Sequence, residues 1–181
     1  KRLSGKFDRV LVDAPCSGTG TLRRNPDLRW RMSEEELARI NAIQANVLES
    51  ASRLVKSGGR LVYATCSLLQ VENQDVVEAF LAKHPEYRIM DATEVLAKQG
   101  VTLPECAKAH APYFVMAPHQ SGTDGFFGAV LVKDANTVAL MRASLLWQGI
   151  ECFLAYRSLW RFCWQRVPWW GRCRPTRICP V

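Results

Sequence analysis

The sequence has no pair of cysteines separated by two residues and no long apolar run, and each absence excludes a class of protein. Its seven cysteines are an odd number without the spacing of zinc ligands, so we expect neither a metal site nor a disulfide framework. No stretch reaches the roughly 18 uncharged apolar residues of a membrane span. Residues 1–6 lack the pattern of a secretory signal. Together these absences predict a cytoplasmic protein in a reducing compartment.

Excess basic charge is missing from most of the chain and concentrated in its last quarter. The net charge is +7, yet residues 1–135 hold 17 Lys and Arg against 16 Asp and Glu. Residues 136–181 hold seven Arg, no Lys and a single acid, Glu151. The basicity of the whole chain therefore says little about the partner of residues 1–135.

Residues 136–181 also differ from the rest in composition. They contain five of the six Trp and four of the seven Cys. Aromatic and thiol groups at this density are unusual on the surface of a folded domain. We interpret residues 1–135 as the domain and residues 136–181 as an atypical tail, frameshifted or otherwise non-native. The alternative is a genuine helix over 138–160 that packs on the domain.

Within residues 1–135 the apolar pattern predicts alternating strands and helices. The run from Phe7 to Val12 predicts a strand buried on both faces. Ser33 and Glu36 form a capping box before a helix that we expect to end at Gly58-Gly59. The run from Arg60 to Thr65 predicts a second buried strand. A further helix and three strands are predicted at 72–83, 87–90, 113–117 and 126–132. We expect the strands at 113–117 and 126–132 to pair antiparallel.

Two cysteines follow the ends of the two predicted buried strands. One stands after the apolar run 10–12, in Asp13-Ala14-Pro15-Cys16-Ser17-Gly18-Thr19-Gly20. The other stands after the run 61–63, in Ala64-Thr65-Cys66-Ser67. Ligands of open parallel sheets bind outside the carboxyl ends of the strands, so two thiols there predict thiolate chemistry on a bound substrate. A lone cysteine after a buried strand is usually inert core, and it is the pair that favours function.

These motifs resemble the RNA cytosine-5 methyltransferases of the Sun/Fmu-like class, most of all their bacterial ribosomal-RNA branch. The resemblance covers residues 6–133 and is also carried by the loop 20–27, the pair Glu72-Asn73 and the segment 122–127. One departure is Gln70-Val71, where the family usually has a proline followed by an acid.

A larger departure concerns the cofactor. The family's glycine-rich loop and ribose-binding acid lie upstream, and nothing in this sequence matches them. Gly18-x-Gly20 belongs to the cysteine motif and lacks the third glycine of a dinucleotide fingerprint. The chain therefore resembles the second half of a catalytic domain.

The resemblance implies an α/β fold: half of a Rossmann-like domain that uses S-adenosylmethionine, with parallel strands, helices and a C-terminal antiparallel hairpin. It implies that Cys66 is the nucleophile, that Cys16 assists release of the adduct, and that Asp13 contacts the cytosine ring. Asp13, Ala14 and Pro15 are also its implied cofactor contacts. The implied partners are RNA, most of all 16S rRNA, and a separate upstream half of the same enzyme. Because the cofactor loop is missing, we expect the isolated chain to be inactive.

These residue types suit that chemistry. Carbon 5 of cytosine is a poor nucleophile, and a thiolate added to carbon 6 makes it a good one. An acid near ring nitrogen 3 then absorbs the developing charge, a role that fits Asp13. The base must first leave its stack, which costs about a few kcal/mol and less in a loop.

Other functions remain open from sequence alone. A DNA cytosine methyltransferase would use the Pro-Cys thiol, Cys16, and would not need Cys66. An amino-group methyltransferase would have an aromatic residue in place of Cys16. The chain could also be an inactive remnant or an RNA-binding fragment.

Individual residues have structural alternatives too. Asp13 could be a turn former before Pro15. Segment 124–127 could be a hairpin turn with core aromatics or a wall of the base pocket. Four arginines of the loop 18–31 could either contact phosphate or be simply solvated: Arg23, Arg24, Arg29 and Arg31.

Overall fold

The computed structural model describes residues 2–135, and the tail interpreted above, residues 136–181, lies outside the described residues. The helices are α1 (Leu28–Arg31), α2 (Glu34–Ser52), α3 (Gln74–Lys83), α4 (Ala92–Ala97), α5 (Glu105–Lys108) and α6 (Pro118–Ser121). The strands are β1 (Phe7–Asp13), β2 (Val55–Thr65), β3 (Tyr87–Met90), β4 (Phe114–Met116) and β5 (Phe126–Lys133). Short 3₁₀ turns lie at Thr19–Thr21 and Gln70–Glu72.

The strands form one sheet in the order β1-β2-β5-β3, with β4 paired to β5. Strands β1 and β2 are parallel, and β5 runs antiparallel to β2, β3 and β4. The predicted α/β class is confirmed, as is the antiparallel pairing of the two strands near 113–117 and 126–132.

Helices α2 and α3 cover one face of the sheet, and α4 lies beside a groove on the other face. Leu61 and Tyr63 of β2 are fully buried in a core with Leu48 of α2 and Val77 of α3. The intervening side chain, Val62, is half-buried and lines an apolar groove of about 470 Å³ on the opposite face. Among residues 2–135 no helix has both the length and the apolar character needed to span a bilayer.

The predicted end of the long helix is wrong. Helix α2 ends at Ser52, and Val55 already belongs to β2. The carbonyl oxygens of Arg53 and Leu54 accept N–H bonds from residues 5–7, which draws the chain out of the helix and alongside β1. Gly58-Gly59 lies inside β2, where residues 56–59 loop out of register with β1.

The prediction that β1 is buried on both faces is also wrong. Val12 is buried, but Leu11 is 68% exposed. Within the described residues β1 has a single strand neighbour and one helix-covered face, so it forms the edge of the sheet. An apolar run indicates a strand, and the strand order decides how much of it is covered.

Candidate active site

Cys16 and Cys66 lie side by side beyond the carboxyl ends of the parallel strands β1 and β2. Asp13 pairs with Ala64 in the strand register, and the N–H of Ala14 donates to the Ala64 carbonyl oxygen at 2.9 Å. From this last rung the two loops bring the Sγ atoms of the cysteines to 3.3 Å from each other. Both thiols are free and half-buried. The predicted adjacency of the two cysteines is therefore present in the structure.

Burial and the contact with Cys66 both affect the protonation of Cys16. Burial, followed by the hydrogen bond with Cys66, raises the pKa of the Cys16 thiol to about 12. Cys16 therefore keeps its proton at neutral pH, and its S–H is available to donate to the Cys66 sulfur.

A fully buried carboxylate, that of Glu72, ties the two cysteine loops together. One carboxylate oxygen accepts the N–H of Ser17 at 2.8 Å and the side-chain amide of Gln44 at 3.2 Å. The other oxygen accepts the hydroxyls of both Ser17 and Ser67. Each serine directly follows one of the two cysteines. The Glu72 side chain therefore holds both cysteine loops by hydrogen bonds. Hydrogen bonds to a charged acceptor are the stronger kind, and here they replace water around a buried charge.

Asn73 and Tyr63 complete the support of the second loop. Thr65 Oγ1 donates to Asn73 Oδ1 at 2.6 Å, and Asn73 Nδ2 donates to the Ser67 carbonyl at 2.9 Å. The Tyr63 hydroxyl donates to the backbone carbonyl of Glu72 at 2.7 Å. Glu72 and Asn73 carry part of the family resemblance, and sequence alone predicts no role for them. In the structure the pair forms the base of the site.

A third loop, before β5, closes against the first two. Gly20 donates its N–H to the Cys66 carbonyl and accepts the N–H of Gly125, both at 2.9 Å. A Cβ at Gly20 would lie 2.7 Å from the Cys66 carbonyl oxygen and closer still to that of Gly125. Only glycine fits this approach of three backbones. Arg24 and Asp124 form an ion pair that joins the same loops.

Within segment 124–127 the two aromatic residues have different positions. Phe127 is buried and packs edge-on against Tyr63, with ring centroids 6.4 Å apart. Phe126 is 45% exposed. The core interpretation therefore holds for Phe127, and Phe126 is the aromatic available to a ligand.

Asp13, Ala14 and Pro15 form the start of the first loop. Asp13 and Pro15 are exposed, whereas Ala14 is buried. The Pro15 carbonyl accepts the side-chain amide of Gln44 at 2.9 Å, which fixes the turn. No hydrogen bond within residues 2–135 engages the Asp13 carboxylate, which is exposed at the end of β1.

The loop between the first cysteine and α2 presents basic and aromatic groups to solvent. Trp30 is 78% exposed, and the Arg29 guanidinium stacks over its ring at 4.3 Å. Arg31 pairs with Asp27 at 2.6 Å, whereas Arg23 is exposed. The sequence predictions named the four arginines of this loop and did not include Trp30. An aromatic residue between two arginines in a polar loop is nevertheless typical of a surface that binds single-stranded nucleic acid.

Residues 2–135 contain no cluster of His, Cys, Asp and Glu side chains that could hold a metal ion. His84, which had no assigned role, lies between the carboxylates of Glu49 and Glu86, at 2.6 and 3.0 Å. These contacts join α2 to the end of α3 and belong to the scaffold.

Known proteins are similar to this chain in sequence and in fold. Residues 1–132 match the family described as 16S rRNA methyltransferase RsmB/F. Ribosomal RNA small subunit methyltransferase B of Serratia proteamaculans is 40% identical over 128 residues, which are 71% of this chain and 27% of that protein.

Two solved structures extend the comparison to the fold. The structure of PH0851 is 38% identical with a TM-score of 0.62, and the match covers 72% of this chain and 27% of that one. The structure of NSun6 from Pyrococcus horikoshii, solved with SFG, is 26% identical with a TM-score of 0.54, over 68% of this chain and 29% of that one. The chain thus spans about a quarter of the length of these relatives.

Proposed function

This chain belongs to the 16S rRNA methyltransferase RsmB/F family, and on that premise we propose that it supplies the catalytic thiols for methylation of cytosine carbon 5 in ribosomal RNA. The observation that carries the proposal is the contact of two thiols, 3.3 Å apart, beyond the carboxyl ends of adjacent parallel strands. A single-thiol mechanism would not require that pairing.

Cys66 is the proposed nucleophile. Its sulfur, as thiolate, bonds to carbon 6 of the cytosine ring and makes carbon 5 electron-rich enough to accept a methyl group. Loss of the carbon 5 proton and cleavage of the sulfur–carbon bond then return Cys66 as thiolate. The carbonyl of Cys66 is held by Gly20, so the loop that carries the nucleophile is fixed by neighbouring backbone.

Cys16 is the proposed release group. Since burial keeps its thiol protonated, it can donate to the Cys66 sulfur at 3.3 Å as that sulfur leaves carbon 6. Stabilising the departing thiolate speeds elimination and leaves the addition step less affected. This division of labour is proposed on the contact of the two sulfurs and on the family resemblance.

Asp13 is the proposed ring contact, and it shares a wall of the cofactor cleft with Ala14 and Pro15. Its free, exposed carboxylate beyond β1 suits a hydrogen bond to the pyrimidine edge. The NSun6 relative was solved with SFG, an analogue of S-adenosylmethionine, which supports that cofactor for this family. When bound, the cofactor supplies the methyl group. Residues 13–15 account for one side of its cleft.

The RNA contact is proposed at the exposed basic loop. Trp30 with the stacked Arg29 forms a platform on which an unpaired base can stack. Arg23 provides a further positive charge for phosphate. The relatives named as small-subunit rRNA methyltransferases support 16S rRNA as the RNA in question.

The alternative of an inactive fragment is favoured by one observation, the share of the relatives that the chain spans. We expect the chain by itself to bind S-adenosylmethionine very weakly, because residues 13–15 line only part of the cleft. Titration calorimetry on the purified chain measures this. A micromolar dissociation constant would show that the cofactor needs nothing more than this chain.

The function is tested by joining the chain to the upstream part of a relative and supplying unmodified 16S rRNA with labelled S-adenosylmethionine. We expect labelled 5-methylcytidine after digestion to nucleosides, and none with Cys66→Ala. Cys106→Ala, which changes a half-buried thiol of α5 outside the site, is the matched control and should retain activity. Methyl groups on an amino nitrogen, or activity that survives Cys66→Ala, would overturn the proposal.

A further inference from the structure

The contact between Cys16 and Cys66 has a consequence beyond methyl transfer. Their sulfurs are 3.3 Å apart, and a disulfide bond is about 2.04 Å long. The two sulfurs are already in contact, so they must approach by little more than 1 Å for the bond to form. Both thiols are half-buried, so a small oxidant can reach them.

The surrounding bonds hold this geometry in place. Ser17 and Ser67 share the carboxylate of Glu72, and the Gly20 N–H holds the Cys66 carbonyl at 2.9 Å. The parallel rung between Asp13 and Ala64 fixes the two loops at their origin. Two thiols kept in contact by rigid loops react with each other faster than with thiols elsewhere.

We propose that Cys16 and Cys66 form a reversible disulfide when the protein meets a peroxide, which makes the site a redox-controlled one. The crosslink itself depends only on the thiols. Its consequence, loss of methyl transfer because both sulfurs are consumed, rests on the proposed function.

The chemistry takes two steps. The Cys66 thiolate attacks hydrogen peroxide, breaks the oxygen–oxygen bond, and becomes a sulfenic acid with release of hydroxide. The Cys16 sulfur then attacks the oxidised sulfur, forming the disulfide, and its proton leaves with the displaced hydroxide as water. Two thiol sulfurs are oxidised and one peroxide is reduced. Oxidation begins on Cys66 in this proposal because Cys66 is the proposed nucleophile of the site.

The test treats the full chain with stoichiometric hydrogen peroxide, alkylates the remaining thiols, and maps the tryptic peptides by mass. The two cysteines fall in separate peptides, 10–23 and 61–83, and Cys106 falls in a third, 99–108. We expect peptides 10–23 and 61–83 to be joined, to separate with dithiothreitol, and to form before any crosslink that involves Cys106 or the four cysteines beyond residue 135.

Three variants make the result decisive. Cys66→Ser should prevent crosslinking of peptide 10–23, Cys16→Ser should leave Cys66 to proceed to sulfinic acid, and Cys106→Ser should crosslink as the parent does. Over-oxidation of Cys66 in the parent while Cys16 remains alkylatable would overturn the proposal, and so would random pairing among the seven cysteines.

The two proposals fail separately. A disulfide that forms in a protein without methyl transfer under any condition would contradict the proposed function and leave the crosslink standing. In the joined enzyme described above, we expect peroxide to abolish activity and dithiothreitol to restore it. Full activity of the mapped, crosslinked protein would contradict the regulatory consequence.

Discussion

The two cysteine loops have the same local plan and unequal support. The loop of Cys66 follows β2, an inner strand with β1 on one side and β5 on the other. The loop of Cys16 follows β1, which is the edge strand of the described residues and carries Leu11 at 68% exposure. Cys66 thus follows an inner strand of the sheet, and Cys16 follows its edge strand.

The difference shows why the buried polar contacts between the loops matter. The Cys66 loop follows a strand that is paired on both edges, and hydrogen bonds from Gly20 and Asn73 also hold it. The Cys16 loop instead depends on Glu72, which accepts both the N–H and the hydroxyl of Ser17. We infer that the distance between the thiols is set by this shared carboxylate more than by the strand pairing.

Glu72→Ala should have the largest effect on stability, because it removes the tie between the two loops. It would leave the N–H of Ser17 and the hydroxyls of Ser17 and Ser67 buried without their acceptor. We expect the free energy of unfolding to fall by about 3 kcal/mol or more, as measured by urea denaturation. Glu34→Ala, at an exposed position of α2, is the control and should stay within about 0.5 kcal/mol of the parent. Equal small losses in both variants would show that the carboxylate is not an anchor.

Gly20→Ala should come next, since it forces apart the loops at their closest approach. The new Cβ would lie 2.7 Å from the Cys66 carbonyl oxygen, an atom that cannot swing away. The expected loss is about 1–3 kcal/mol. Gly128→Ala in β5 is the matched control, because its Cβ would meet Phe114 at an ordinary 3.6 Å. The comparison would be contradicted if the Gly128 variant lost as much stability as the Gly20 variant.

Leu11→Lys tests the exposed edge strand β1, which precedes the Cys16 loop. Residues 10–12 are an apolar stretch of an edge strand without proline, and such stretches pair readily with other chains. We therefore expect the chain to associate through residues 10–12 and the substitution to reduce this association. Light scattering at micromolar concentration measures it. Leu3→Lys, at a position 53% exposed and outside the strands, should leave association unchanged. A monodisperse monomer for the unmodified chain would refute the prediction.

The smallest effect is expected at His84, which lies outside both cysteine loops and joins α2 to the end of α3. Partial burial works against the charged imidazole, but hydrogen bonds to Glu86 and Glu49 outweigh it and raise the pKa of His84 above 6.5. The ion pairs therefore contribute fully below pH 6.5 and are lost as pH rises through the raised value. Because both glutamates are partly exposed, the contribution should be below about 1 kcal/mol. Urea denaturation on either side of that window should show the loss for the parent and not for His84→Gln.

The local sequence pattern was sufficient to predict those elements whose position is determined by their own residues. Strand β3 was predicted with its bounds, and the predicted N-cap is present, since Ser33 Oγ accepts the N–H of Glu36 at 3.2 Å. The reciprocal half of the capping box is replaced, because the Glu36 carboxylate accepts from Arg39. The adjacency of the two cysteines followed from a general property of parallel strands. The short helices α1, α4, α5 and α6 were missed because four to six residues carry too little periodicity.

The remainder depended on partners distant in sequence. The start of β2 is set by residues 5–7, some 50 positions upstream, and the exposure of Leu11 by the order of strands. Glu72 was included at the start of a predicted helix, where an acid is usually solvated. Its burial depends on Ser17, which lies 55 residues away in the sequence. No local pattern encodes such a contact.

The division of labour between the two thiols is tested most directly by trapping the covalent RNA adduct in cysteine variants of the enzyme joined to an upstream half. Denaturing electrophoresis of protein mixed with labelled RNA reveals an adduct as a band of reduced mobility. We predict that Cys16→Ala accumulates this band, because addition proceeds while elimination stalls, and that Cys66→Ala forms none. An adduct that survives the loss of Cys66 and disappears with the loss of Cys16 would reverse the assignment and contradict the account.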